Sequence, residues 1–105
     1  MVSCIVLTER LAVCLVIKCS RHMVDKLAKE LSRMGISEGL LEQVVSKPDE
    51  VLYDSVTVRY VALRMERNLA VVYERRGGDI FIITAIYSSK LEDVVQRRKR
   101  SGRWI

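Results

Sequence analysis

His22 is the single histidine of this chain, and it follows directly on Ser20 and Arg21. Elsewhere the sequence holds Glu74, Tyr87 and Lys90, together with Arg59, Arg64, Arg97 and Arg98. Cutting RNA without a metal needs a base for the 2′-hydroxyl, an acid for the leaving oxygen, and cations for the charge that builds on the phosphate. In this sequence His22 or Glu74 can serve as the base and Tyr87 or Lys90 as the proton donor. Arg59, Arg64, Arg97 and Arg98 can neutralise charge. Almost any basic domain supplies these residue types, so their presence alone selects nothing. A lone histidine in a polar first turn is more often an ordinary surface residue.

The tail is more specific. In "SSKLEDVVQRRKRSGRWI" (residues 88–105), six Lys or Arg against two acids leave +4 of the chain's net +5. One or two cations complement the negative end of a helix. Four in succession, Arg97 to Arg100, with Arg103 and Trp104 beyond them, exceed that need and form the footprint of a phosphate-facing surface. Arg64, Arg97, Arg98, Lys99, Arg100 and Arg103 are therefore nucleic-acid-binding candidates. Trp104 is either a platform on which a base stacks or an anchor folded back on the core.

Several classes fall away. There is no GxSxG, no phosphate-binding glycine loop and no paired-histidine metal motif. The three cysteines all lie in the first twenty residues without a CxxC pair. With one histidine, that leaves no metal site, no cofactor and no disulfide framework to expect, and it suits a reducing cytoplasm. Leu11–Ile17 is an apolar run of seven residues, far short of the roughly 20 that span a bilayer. Glu9 and Arg10 interrupt what would otherwise be a signal-peptide core.

A chain of 105 residues builds one domain. The apolar runs at 3–7 and 11–18 read as a hairpin, an N-terminal strand extension (1–18) to a core of 19–105. Ser20 caps a helix running to about Arg33, with Met23, Val24, Leu27, Leu31 and Met34 on one face and Gly35 as its stop. Ser37 opens a second helix that buries Leu40, Leu41, Val44 and Val45 and ends before Pro48. Strands follow at Val56–Met65, Leu69–Glu74 and Asp79–Tyr87, the last two joined by a Gly77-Gly78 hairpin turn. The last strand is apolar on both alternations, which implies cover on both faces or a face buried in a dimer. Ser89 and Glu92 form a capping box for a final helix. The expected fold is α+β: a two-helix hairpin packed on a small antiparallel sheet of three to five strands, with a short basic C-terminal helix.

The stretch "SRHMVDKLAKELSRMGISEGLLEQVVSKPDEVLYD", with its histidine at a helix head, "GIS" between helices and "PDE" as a stop, resembles small proteins related to RelE- and BrnT-type toxins. The strands "RYVAL", "LAVVYE" and "IFIITAIY" and the basic C-terminus extend the resemblance over residues 19–105. It implies the barnase–EndoU–colicin–RelE-like ribonuclease fold and metal-independent action on RNA, with a cognate antitoxin over the basic face. It maps His22, Arg59, Lys90 and Arg97–Arg100 to positions of interest. Residues 1–18 depart from the pattern and are expected to add an edge strand or an oligomer interface. Three readings stay open: a toxin-like endoribonuclease or its inactive relative; a non-catalytic nucleic-acid-binding module; and a homodimer, joined through the sheet or the N-terminal strand, that meets an acidic protein.

Overall fold

The computed structural model describes the backbone of residues 2–8 and 11–105, and side chains from Ile17 onward. The two apolar runs rich in β-branched residues form strands β1 (Val2–Thr8) and β2 (Leu11–Cys19), which pair antiparallel from Val2↔Val16 to Thr8↔Leu11. Helix α1 (Arg21–Lys29) starts at the expected cap, where the Ser20 hydroxyl accepts the Met23 N–H at 3.0 Å. It is shorter than the sequence implied. After Lys29 the chain tightens into a 3₁₀ turn, Leu31–Met34, closed by Gly35 at φ 76°. Val24 and Met34, both expected inside, are about half exposed at 48% and 54%. Helix α2 (Glu38–Ser46) is capped by Ser37 and buries Leu41, Val44 and Val45.

Four strands follow: β3 (Glu50–Asp54), β4 (Arg59–Arg64), β5 (Leu69–Arg76) and β6 (Asp79–Tyr87). Helix α3 (Leu91–Arg100) ends the regular structure. The strands form one sheet in the order β1-β2-β6-β5-β4-β3. The α+β class, the helix pair and the basic C-terminal helix match the reading of the sequence. The sheet is larger than expected, with six strands, and it is mixed, because β2 runs parallel to β6 through Ile17↔Ile80 and Cys19↔Ile82. Parallel neighbours need a long crossover, and here everything from α1 to β5 supplies it. Ile17 is fully buried, so the boundary drawn after residue 18 falls inside a core strand. β3 was missed because "EVLYD" places two buried positions, Leu52 and Asp54, among charged and exposed ones.

Two cores result, one on each face of the sheet. α1 and α2 cover Ala62, Leu69, Val71, Tyr73, Ile80, Ile82 and Ala85. On the opposite face α3 and Trp104 cover Leu52, Val61, Leu63, Ala70 and Val72. β6 lies inside the sheet between β2 and β5; its helix side is buried through Ile80, Ile82 and Ala85, whereas on the other side Phe81 is half-buried and Ile86 packs partly against the second core. Gly77 and Gly78 both take positive φ, 58° and 91°, which the tight β5–β6 turn requires and glycine alone supplies freely. No helix among the described residues is long and apolar enough to cross a membrane.

The β3–β4 connection contains a strained position. Asp54 Oδ1 accepts the N–H groups of Val56 and Thr57 at 2.9 and 3.0 Å, and the Val58 N–H closes on the Asp54 carbonyl at 2.8 Å. That geometry drives Val58 to φ 59°, a left-handed conformation that opposes a β-branched side chain. The side chain is 67% exposed, so little packing offsets the strain. Val58→Asn is expected to raise stability by about 1 kcal/mol, read as a thermal midpoint several degrees higher; an unchanged or lower midpoint would show that the loop carries no such strain.

Candidate functional site

The basic helix is positioned by its apolar side. Leu91 and Val95, one turn apart, are buried against the β3–β5 half of the sheet. Its start differs from the expected capping box: Lys90 is the capping residue, and its N–H is taken by Ser88 Oγ at 3.1 Å. Glu92 and Asp93 occupy the first turn and Arg97, Arg98, Lys99 and Arg100 the last, so both ends complement the helix dipole. Beyond the helix the chain reverses at Gly102 (φ 79°), and the N–H groups of Arg103 and Trp104 both close on the Arg98 carbonyl. The tail then runs antiparallel beside β3. Tyr53 and Ile105 exchange N–H···O bonds of 3.0 and 2.9 Å, and Ser55 N–H donates to the Arg103 carbonyl at 2.8 Å.

Asp54 fixes this tail, and nothing in the sequence singled it out beyond an acid followed by Ser-Val-Thr. It is 2% exposed. Oδ2 accepts the Trp104 indole N–H and the Arg103 Nε–H, each at 3.1 Å, while Oδ1 holds the two loop amides. Burial pushes its pKa up. Against that, hydrogen bonds from Thr57, Trp104, Arg103 and Val56 bring it down to about 2, from an ordinary 3.8. Trp104 itself is 2% exposed. Its ring is therefore an anchor, which corrects its placement among the nucleic-acid-binding residues: a base has no free face to stack on.

This anchoring gathers three guanidinium groups. Arg98 lies 4.9 Å over the Trp104 ring, and Arg103 is held by Asp54. With Arg97, Val94 and Ser101 they line an open groove of about 410 Å³. Arg97 is shared with a neighbouring depression of about 440 Å³ lined by Lys90, Asp93, Gln96 and Arg100. Partial burial lowers the pKa of Arg98, and the positive charges of Arg103 and Arg97 lower it further, against the opposing pull of Asp54. Such like-charge crowding is relieved by an anion. Lys99 is turned away from the groove, paired to Glu50 at 3.0 Å.

The acid–base candidates are not brought together. His22 is exposed at the head of α1, on the face opposite α3, with Nε2 3.5 Å from Thr84 Oγ1. Arg59 is paired with Glu74 at 2.9 Å, and Arg76 joins the same carboxylate at 2.7 Å. The hydrogen bond from Arg59, then that from Arg76, lowers the Glu74 pKa and makes it a poor base. The register sets Glu74 opposite Phe81 and Leu69 opposite Tyr87. Arg59 and Tyr87 are thus separated by about 20 Å of strand. Lys90 starts α3. Arg64 pairs with Glu66 at 3.5 Å and lines a depression with Lys47 and α2 residues, away from α3. Of the sequence candidates, Lys90, Arg97, Arg98, Arg100 and Arg103 line the two adjoining depressions along α3 and the tail.

Comparison of the chain with models of known protein families, with curated proteins and with solved structures gives no match.

Asp54 makes stability depend on acid. Its folded pKa lies below the unfolded value, so its contribution is complete above about pH 4 and is lost as pH falls through about 2. The shift corresponds to about 2 kcal/mol. Asp54→Asn is expected to cost about 2–3 kcal/mol at neutral pH, and the gap to the parent should shrink as urea titrations move from pH 5 to pH 2. A gap that stays constant with pH would show that the carboxylate charge does not hold the tail.

Proposed function

We propose that the protein binds RNA through the outer side of α3 without cutting it. The observation that carries this reading is the groove lined by Arg97, Arg98 and Arg103, where the Asp54 carboxylate that holds Arg103 already has donors on both oxygens. Guanidinium forks match phosphate oxygens in pairs. Arg98 and Arg103 are held in place before a ligand arrives, one by the indole and one by Asp54, so little side-chain freedom is lost on binding. Lys90, Arg97 and Arg100 have no ion-pair partner among the described residues, which leaves them for further phosphates along the same helix. The resemblance to RelE- and BrnT-type toxins supports RNA as the polyanion. The separation of His22, Arg59 and Tyr87 favours the non-catalytic member of the readings.

The test is a salt titration of binding to labelled single-stranded RNA in EDTA. Affinity should fall steeply with salt. Arg97→Ala and Arg100→Ala should each reduce the log–log slope by about one, while Arg33→Ala, in the 3₁₀ turn after α1, leaves it unchanged. Salt-independent binding, or equal losses in all three variants, overturns the reading. Cleavage products in the same tubes would return the acid–base groups to consideration.

A further inference from the structure

The edges of this sheet are treated unequally. A strand edge presents unpaired N–H and C=O groups that invite another strand, and folded proteins commonly block them. At one side β3 is covered by the C-terminal tail through the Tyr53–Ile105 and Ser55–Arg103 bonds, and Lys99 reaches to Glu50 at its start. β6 outruns β2 beyond Ile82 and exposes a second edge. α1 closes it: Ser20 Oγ donates to the Ile83 carbonyl at 2.8 Å and Lys26 Nζ to the Ala85 carbonyl at 2.6 Å.

β1, at the far side of the sheet, is different. Its sequence, "VSCIVLT", contains no charge, no proline and no glycine over seven residues, so neither charge nor proline blocks its edge, and its one irregularity, between Val6 and Thr8, lies at the end of the strand. The β1–β2 hairpin also projects past the body of the sheet. β2 meets β6 only from Ile17 to Cys19, and β6 begins at Asp79, so Leu11–Leu15 run on beyond its start. Two strands by themselves are marginal in water, yet in sequence this hairpin is almost wholly apolar. It needs a further strand and further apolar cover of its own kind.

We infer that β1 pairs antiparallel with β1 of a second copy, giving a continuous sheet across a twofold axis. A second copy is the occupant that the edge itself specifies. Antiparallel pairing of a strand with itself is isologous and closes after two chains, and a neutral apolar strand offers nothing to a charged partner. This inference is independent of the RNA reading.

Light scattering on the purified chain should give a dimer at micromolar concentration. Ile5→Lys, which sets a charge in the middle of β1, should give a monomer that keeps the fluorescence of buried Trp104; Ile5→Val should remain dimeric. With Cys14→Ser and Cys19→Ser, Cys4 is the only thiol left, and a short bis-maleimide should join two chains through it. The crosslink carries the test if Ile5→Lys does not fold. A monomeric parent overturns the inference. So does a dimer that yields no Cys4 crosslink, since it would be built elsewhere, for example through exposed Val56, Val58 and Ile105.

Discussion

One buried carboxylate organises the basic half of this molecule. Asp54 lies at the end of an edge strand and uses both oxygens, one for the loop that begins β4 and one for the last residues of the chain. A buried acid is costly unless each lone pair finds a donor. Four donors meet this one, and they come from opposite ends of the final fifty residues. The β3–β4 turn and the path of the C-terminus are therefore set together. Trp104 can enter the core only while its indole N–H has an acceptor there, and Arg98 has a ring to lie on only while Trp104 is in the core. The orientation of the arginine groove thus depends on an interaction at its floor.

The charged side chains sort by the same logic. Across β3, β4, β5, β6 and β2 one cross-strand row reads Asp54, Arg59, Glu74, Phe81, Lys18, fixed by register and by the Arg59–Glu74 ion pair. Arg103 extends it at one end and Arg76 reinforces it, lying 4.4 Å over the Phe81 ring. Alternating signs along a row stabilise sheet pairing. Arg59 and Glu74, which by residue type looked fit for chemistry, are explained by this structural ladder. Arg97, Arg98, Lys99 and Arg100 stand outside it, in the last turn of α3.

What could be read from the sequence follows from the range of the interactions involved. Ser20, Ser37, Gly35 and Gly77-Gly78 act within three or four residues, so their caps, stop and turn were legible. The apolar run of β6 announced a strand inside the sheet, although not that its helix side alone is fully buried. β3 was illegible because its identity rests on pairing with β4 and on the tail, both remote from "EVLYD". The parallel contact of β2 with β6 spans some sixty residues and leaves no local mark. The basic cluster could be seen as a cluster. Its division into Arg97 and Arg100, without an ion-pair partner among the described residues, and Lys99, engaged by Glu50, depends on a partner forty-nine positions away. The competing fates of Trp104 were both visible, and Asp54, a residue with no pattern of its own, decided between them.

The chemistry available to the groove is limited by what lines it. Proton transfer needs a group that can change protonation near neutral pH and lies within hydrogen-bond reach of the reacting atom. Arginine cannot give up its proton under those conditions. The acid bound to Arg103, Asp54, is held near 2 by donors that occupy both oxygens, and Asp93 lies in the adjoining depression. Guanidinium groups do stabilise negative charge, and they do so as well for a resting phosphate as for one under attack unless geometry tells the two apart. A site built from them alone binds uniformly, and uniform binding raises affinity without lowering a barrier. These side chains are in keeping with the proposed recognition of a polyanion.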